Sequence, residues 1–85
     1  MGSGKRVKPE RLAEKLKTIR ERLGLTTEEL IIRLNCPEIP LYRANITHYE
    51  KGRREPPLIV LLQYARLIKI HVDDLIDDEV NLPTT

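Results

Sequence analysis

Residues with the reactive side chains of enzymes and metal proteins are scarce in this 85-residue sequence. It has one cysteine, two histidines, no tryptophan and no phenylalanine. The single cysteine, Cys36, excludes an internal disulfide, and its spacing from His48 and His71 does not match a zinc site. We therefore predict that Cys36 is a small, buried apolar residue and that the protein holds neither a metal ion nor another cofactor.

Catalytic motifs and membrane segments are also missing. The one serine, Ser3, lies in the first four residues, and no glycine-rich phosphate loop is present. No apolar run approaches the ~20 residues that a membrane-spanning helix needs, and no signal peptide is evident. The acidic stretch from Asp73 to Glu79 lacks calcium-loop spacing, which favours a solvated acidic end over a cation site. These absences predict a cytoplasmic protein that is not an enzyme and does not bind membranes.

Charge is distributed unevenly along the chain. Residues 1–54 contain 13 lysines and arginines against 7 aspartates and glutamates, whereas residues 55–85 contain 2 against 6. This asymmetry suggests an electropositive face for a polyanion, and ordinary solvated charge is an alternative that the asymmetry alone leaves equally open. The scarcity of aromatic residues removes a stacking platform for single strands, so duplex nucleic acid is the favoured polyanion.

Apolar periodicity predicts two helices before residue 35. Helix 1, at 9–23, starts at Pro9 and stops before Gly24, with a stripe at Leu12, Leu16, Ile19 and Leu23. Helix 2, at 27–34, follows a capping box in which the side chain of each partner satisfies a backbone donor of the other. The capping residues are Thr26 and Glu29.

An unusual connection and a third short helix follow. Pro37 and Pro40 lack backbone donors and favour an extended segment, although a single helical turn after Pro37 is an alternative. We expect Ile39 or Leu41 to anchor this segment to the core and Ile32 to lie beneath it. Helix 3, at 41–51, is predicted to end at Gly52. Its inward residues are Ile46 and Tyr49, and the short or hydrogen-bonding side chains between them suit a helix that enters a major groove.

Two further helices and an acidic tail complete the chain. Helix 4, at 57–68, is apolar nearly all round, so it is either central or covered on a second side. It includes Tyr64, which we place in the core together with Tyr49. Helix 5 is predicted at 72–77. The domain organisation is then a disordered basic arm at 1–8, a helical domain at 9–77 and an acidic tail at 78–85. Residues 1–4 are typical of a tag remnant. Val80 and Leu82 are candidates to fold back over apolar surface.

Four motifs occur in order within residues 9–77: Ile19–Thr26, Glu28–Leu30, Ile46–Leu58, and the stretch from Leu61 to Ile76. Together they resemble the lambda-repressor-like, Cro-type helix-turn-helix family, also called the XRE family. The resemblance implies a compact all-α fold of five helices in which helices 2 and 3 bind DNA. Residues 36–41 depart from it, because family members usually connect these two helices by a tight turn. The insertion either extends the reading surface, contacts the DNA backbone, or fills space beside helix 4.

The resemblance also assigns roles to individual positions. The DNA-binding set would comprise the start of helix 2, the exposed face of helix 3 and its basic end: Thr27, Tyr42, Arg43, Ala44, Asn45, Thr47, His48, Lys51, Arg53 and Arg54. In the family, the positions of Arg43, Ala44 and His48 read base edges, and that of Thr27 contacts a phosphate. For Arg43 and His48 the alternatives are a phosphate contact or plain surface exposure. Arg20 and Glu50 match a structural ion pair.

The combined interpretation is a sequence-specific, double-stranded DNA-binding transcriptional regulator, such as a repressor, associated with the nucleoid. Because one domain offers one recognition helix, we expect a homodimer, with the apolar surface of helices 4 and 5 as its interface. Two alternatives remain open at this point. One is an antitoxin-like module that uses this surface to hold a small protein partner, and the other is a purely structural helical domain.

Overall fold

Five helices lie within residues 8–83, the part of the chain that the computed structural model describes. They are α1 (Leu12–Leu23), α2 (Thr27–Leu34), α3 (Arg43–Glu50), α4 (Leu58–Leu67) and α5 (Val72–Ile76). Residues 8–83 contain no strand, which confirms the all-α prediction. None of these helices is long and apolar enough to cross a membrane. The basic arm predicted for residues 1–8 lies outside the described range except for Lys8.

The first helix begins later than its sequence predicts. Pro9 was expected in the first turn, but α1 begins at Leu12. Just before it, a cap from the far end of the chain binds the main chain, because the N–H groups of Glu10 and Arg11 donate to the carboxylate of Asp78 at 2.9 and 3.0 Å. Gly24 ends the helix as predicted, in the left-handed conformation at φ +67° that glycine adopts without strain.

The second helix agrees with its predicted bounds and cap. The hydroxyl of Thr26 accepts a hydrogen bond from the N–H of Glu29 at 3.1 Å. In return, the N–H of Thr26 donates to the Glu29 carboxylate at 2.8 Å. This reciprocal pair confirms the capping box and fixes where α2 starts.

The connection between α2 and α3 makes one turn and is anchored at two points. The N–H of Ile39 donates to the carbonyl of Cys36 at 3.1 Å, so a hydrogen-bonded turn at residues 37–38 interrupts the extended segment that the two prolines were predicted to favour. Ile39 and Leu41 both pack against the core, and Cys36 is half-buried rather than buried. The expectation that Ile32 lies under this segment is wrong, because Ile32 points away from the inward stripe of α2 and is exposed.

All five helices contribute to one core. α1 packs against α3 and α5, while α4 packs against α2 and α5. The fully buried side chains include Leu16, Ile19, Leu30, Ile46 and Tyr64. Tyr49 is also buried, so both tyrosines predicted for the core lie there. On the outer side of α4, Leu58 and Ile59 are exposed. Part of the apolar surface of this helix therefore lies outside the core.

The segment after α5 packs across α1. Leu82 is buried in the shared core, whereas Val80 stays exposed. The guanidinium of Arg11 donates to the Asp78 carbonyl at 3.1 Å and to the Asn81 side chain at 2.9 Å. The buried ammonium of Lys15 donates to the carbonyls of Asp74 and Asp77 at 2.8 Å each. These hydrogen bonds attach the acidic end of the chain to α1.

Candidate nucleic-acid interface

The rotation of α3 decides which of its side chains reach solvent. Ile46 and Tyr49, three positions apart, are both buried against the rest of the core. Residues on the opposite side of an eight-residue helix must then face outward. Ala44 is exposed there, and Thr47 is half-buried. Arg43 is exposed at the first position of the helix, beside this face. The polar side of α3 is therefore available to an external partner.

The start of α3 differs slightly from the prediction at residue 41, because the helix begins at Arg43. The preceding residue, Tyr42, is extended, and its side chain is exposed. The amide oxygen of Asn45 accepts a hydrogen bond from the N–H of Tyr42 at 2.8 Å. Asn45 is thus occupied as a cap in this structure, which limits its availability for reading a base.

Arg43 projects from the first position of α3 with 75% of its side chain exposed. Its Nε lies 3.0 Å from Oε2 of Glu28, which is in the first turn of α2. The other oxygen of Glu28 accepts a hydrogen bond from the hydroxyl of Thr27 at 3.1 Å. The pKa of Glu28 is lowered, first by the hydrogen bond from its own main-chain N–H, then by Thr27, and finally by the charge of Arg43. Thr27, Glu28 and Arg43 therefore form one linked chain of side chains.

The middle of α3 borders a shallow cleft that carries positive charge. The cleft measures about 250 Å³, and Thr27, Thr47, Lys51 and Lys17 are among the residues that line it. Lys17 is absent from the residues predicted to bind DNA. It lies on the charged face of α1, where nothing in its spacing distinguishes it from other solvated lysines. The tertiary packing brings it beside the start of α2, where a phosphate contact is expected.

His48 is less open than its predicted role requires. Its side chain is half-buried, and its Nδ1 is enclosed with no protein group within hydrogen-bond distance among residues 8–83. Its main-chain carbonyl accepts the N–H of Arg53 at 2.9 Å, which folds the chain back at the end of α3. The imidazole therefore presents only part of its edge to solvent, unlike Arg43.

The basic end of α3 is split between two places. Lys51, Arg53 and Arg54 are all exposed. Lys51 borders the cleft beside Thr47, whereas Arg54 borders a separate cleft of about 260 Å³ together with Lys8. The predicted backbone-contacting residues therefore do not form a single cluster.

An ion pair ties the end of α3 to α1. Arg20 donates from Nε to Glu50 Oε2 at 2.7 Å and from Nη2 to Oε1 at 2.9 Å. A third donor, Nη1, reaches the carbonyl of Leu25 at 3.1 Å in the turn before α2. The hydrogen bonding that Arg20 donates to Glu50 is the main cause of the raised pKa of Arg20, with burial acting in the opposite direction. The pair thus joins α1, the α1–α2 turn and α3.

The acidic end of the chain lies against α1 and not against the exposed side of α3. Asp78 binds the start of α1, and Lys15 binds the carbonyls at the end of α5. Within residues 8–83, no three side chains of the metal-binding types come together as a site. Arg43 and the cleft beside Thr27 therefore face solvent and not the acidic end of the chain. The carboxylate that pairs with Arg43 is that of Glu28.

Comparison with known proteins agrees with this arrangement. The family described as a helix-turn-helix domain matches residues 11–77, a range that contains all five helices. No curated protein matches the chain.

Proposed function

We propose that this chain, which belongs to the helix-turn-helix domain family, binds double-stranded DNA by sequence and regulates transcription. The observation that carries the proposal is the exposure of Arg43 at the start of α3, while Ile46 and Tyr49 hold that helix against the core. A helix held in this way presents polar side chains to a major groove, which is wide enough to admit it.

Base recognition is assigned to the exposed start of α3. An arginine can donate two hydrogen bonds to the O6 and N7 atoms of guanine, worth about 1–3 kcal/mol of discrimination against the wrong base. Arg43 has the exposure for this contact, and the methyl group of Ala44 beside it suits the methyl group of thymine. His48 would add a contact through the part of its ring that is not enclosed.

Phosphate contacts are assigned to the surrounding basic surface. Lys17 and Lys51 border the cleft at the start of α2, and Arg53 and Arg54 follow α3. Because the hydroxyl of Thr27 already donates to Glu28, Thr27 would bind a phosphate through its main-chain N–H, a donor that the first turn of a helix leaves unpaired. These contacts would provide most of the affinity and make it steeply dependent on salt.

The proposal is tested by comparing Arg43→Ala on two kinds of DNA. Sites would first be selected from random duplexes, and binding to the selected site and to a scrambled duplex would then be measured over a salt series. We expect Arg43→Ala to weaken binding to the selected site by about 5- to 100-fold, with a much smaller effect on the scrambled duplex. Arg66→Ala, which removes an exposed arginine from α4, is the charge-matched control.

Two results would count against this assignment. Equal losses on both duplexes would make Arg43 a phosphate contact. Absence of salt-dependent binding to any duplex would reject DNA binding itself and leave a protein-interaction module or a structural helical domain.

A homodimer on a two-fold symmetric site is part of the same proposal. One domain carries one recognition helix, and domains of this kind read two half-sites about one helical turn apart. The supporting observation is apolar surface outside the core, since Leu58 and Ile59 of α4 are 80% and 51% exposed. Ile76 of α5 is exposed as well. A palindromic selected site together with a dimeric mass in solution is expected.

The same apolar surface favours one second candidate function. An antitoxin-like module would cover Leu58 and Ile59 with a small protein partner instead of a second copy. Replacing both residues by lysine separates the two cases. In the homodimer the double variant becomes monomeric and loses cooperative binding to the symmetric site. The antitoxin-like function would be favoured if the unchanged chain is monomeric and co-purifies with a small protein that the double variant no longer binds.

A further inference from the structure

We propose that Glu28 is a positioning residue that sets the direction in which Arg43 approaches a base pair. The inference rests on the proposed DNA-binding function and assigns to it Glu28 of α2, which was not among the predicted DNA-binding residues. It follows from the ion pair between the first turns of α2 and α3 and from the way Glu28 itself is held.

The pairing uses one edge of the guanidinium and leaves another free. Arg43 approaches Glu28 through Nε, at 3.0 Å from Oε2. The guanidinium carries five N–H donors in a planar fork, and its two terminal nitrogens form an outer edge. A guanine presents O6 and N7 side by side and accepts from two parallel donors of this kind. Glu28 and a guanine can therefore bind the same arginine at once.

The carboxylate is itself restrained. Its second oxygen accepts a hydrogen bond from the Thr27 hydroxyl at 3.1 Å, so both oxygens of Glu28 have partners. Thr27 opens α2, and the capping box between Thr26 and Glu29 fixes the start of that helix. The carboxylate is therefore held between the Thr27 hydroxyl and the Arg43 guanidinium, at the capped first turn of α2.

In the free protein this pair is a weak interaction. The side chains of Arg43 and Glu28 are 75% and 56% exposed, so water competes for both charges. On a groove floor, water is displaced and the attraction between the charges increases. An arginine that is already partly ordered also loses less side-chain freedom when it binds. The contribution of Glu28 should therefore appear in recognition of the correct base and hardly at all in folding.

Glu28 also has an opposing effect on DNA binding, which makes the proposal testable. A carboxylate on a DNA-facing surface repels phosphates, and this repulsion acts on every duplex regardless of sequence. The alignment of Arg43 by Glu28 raises affinity only for a duplex that has a guanine at the contacted position. Replacement of Glu28 by glutamine should accordingly strengthen nonspecific binding and weaken specific binding, two changes of opposite sign.

The test is a double-mutant cycle read on two duplexes. Wild type, Glu28→Gln, Arg43→Ala and the double variant are titrated against the selected site and a scrambled duplex. We expect Glu28→Gln to lower the ratio of specific to nonspecific affinity by about 3- to 10-fold, as is usual for directly coupled residues. In the Arg43→Ala background the same change should no longer lower that ratio.

Two controls distinguish alignment from charge and from folding. Glu38→Gln removes the same charge from the α2–α3 connection and should leave the ratio of affinities unchanged. Replacement of the contacted guanine by 7-deazaguanine removes the N7 acceptor. This base replacement should lower the affinity of the wild type by a larger factor than it lowers the affinity of the Glu28→Gln variant. The reason is that only in the wild type does Arg43 hold both donors in register with O6 and N7.

The outcomes separate the two proposals. If Glu28→Gln strengthens binding to both duplexes equally, with or without Arg43, Glu28 only repels phosphate and the positioning role is wrong. If the wild type binds no duplex in a salt-dependent way, the DNA-binding function is wrong as well. A wild type that selects a site, combined with opposite effects of Glu28→Gln on the two duplexes, supports both.

Discussion

Replacing Glu50 by alanine is expected to destabilise the protein strongly through its effect on Arg20. In the native structure two guanidinium nitrogens of Arg20 donate to Glu50, at 2.7 and 2.9 Å. The side chains are only 22% and 8% exposed, so neither charge is well hydrated. Among the described residues, the substitution leaves Arg20 with one hydrogen-bond partner, the carbonyl of Leu25, besides the charge of Glu21.

The size of the effect follows from this burial. Removing one member of a fully buried ion pair costs about 3–5 kcal/mol, because the other charge stays buried without compensation. Arg20 keeps one hydrogen bond and some contact with water, so we expect a loss of about 2–3 kcal/mol in the free energy of unfolding. A domain of this length has roughly 4–13 kcal/mol of stability in total. The melting temperature should fall by about 10–20 °C.

The measurement is thermal and urea unfolding followed by circular dichroism, in wild type, Glu50→Ala, Arg20→Ala and the double variant. The double variant should lose much less than the sum of the single losses, because the second substitution removes the charge that the first left unpaired. The exposed pair between Arg11 and Glu14 provides a matched control, since its side chains are 33% and 65% exposed. Glu14→Ala should cost at most about 0.5 kcal/mol.

A melting temperature of Glu50→Ala within about 2 °C of the wild type would refute this reasoning, since that change corresponds to less than about 0.5 kcal/mol. Strictly additive losses in the double variant would also refute it. Either result would mean that the pair does not hold α3 against α1, and the orientation of the recognition helix would need another cause.

Two further predictions concern the segment after α5. Leu82→Ala should lower the free energy of unfolding, measured with urea, by about 2 kcal/mol because Leu82 is buried in the core. Val80→Ala should change it little because Val80 is exposed. Equally small effects of both substitutions would contradict the packing of this segment on the core. The N–H groups of Glu10 and Arg11 hold the pKa of Asp78 below its usual value. The stability that these hydrogen bonds to Asp78 contribute is therefore fully present above the pKa of the unfolded state. It is lost as pH falls from about 4 through the pKa of the folded state. Asp78→Asn should flatten the fall in melting temperature over this range, and identical pH profiles would argue against the cap.

Features set by neighbours along the chain could be predicted from the sequence. The capping box between Thr26 and Glu29 joins residues three apart, and the structure contains both of its hydrogen bonds. Gly24 likewise ends α1, because a left-handed residue stops a helix whatever surrounds it. The buried positions Ile46 and Tyr49 followed from helical spacing, and they determine which face of α3 is exposed.

Features set by distant residues could not be predicted in the same way. Asp78, which lies 67 residues beyond Arg11, binds the N–H groups just before α1. The pairing of Arg20 with Glu50 was expected from family resemblance and not from spacing. No local rule indicated that Arg43 would lie beside Glu28, since this depends on how α2 and α3 pack.

The sequence alone thus determined the five helices, their inward faces and the polar exposed side of α3, because helix caps and apolar periodicity act between residues a few positions apart. Only the tertiary structure decided which charges meet. It placed Glu28 against Arg43, Lys17 beside Thr27, and the acidic end of the chain on α1. Charged side chains interact over a few ångströms in space, and the packing of helices, which the order of residues does not display, brings them within that distance.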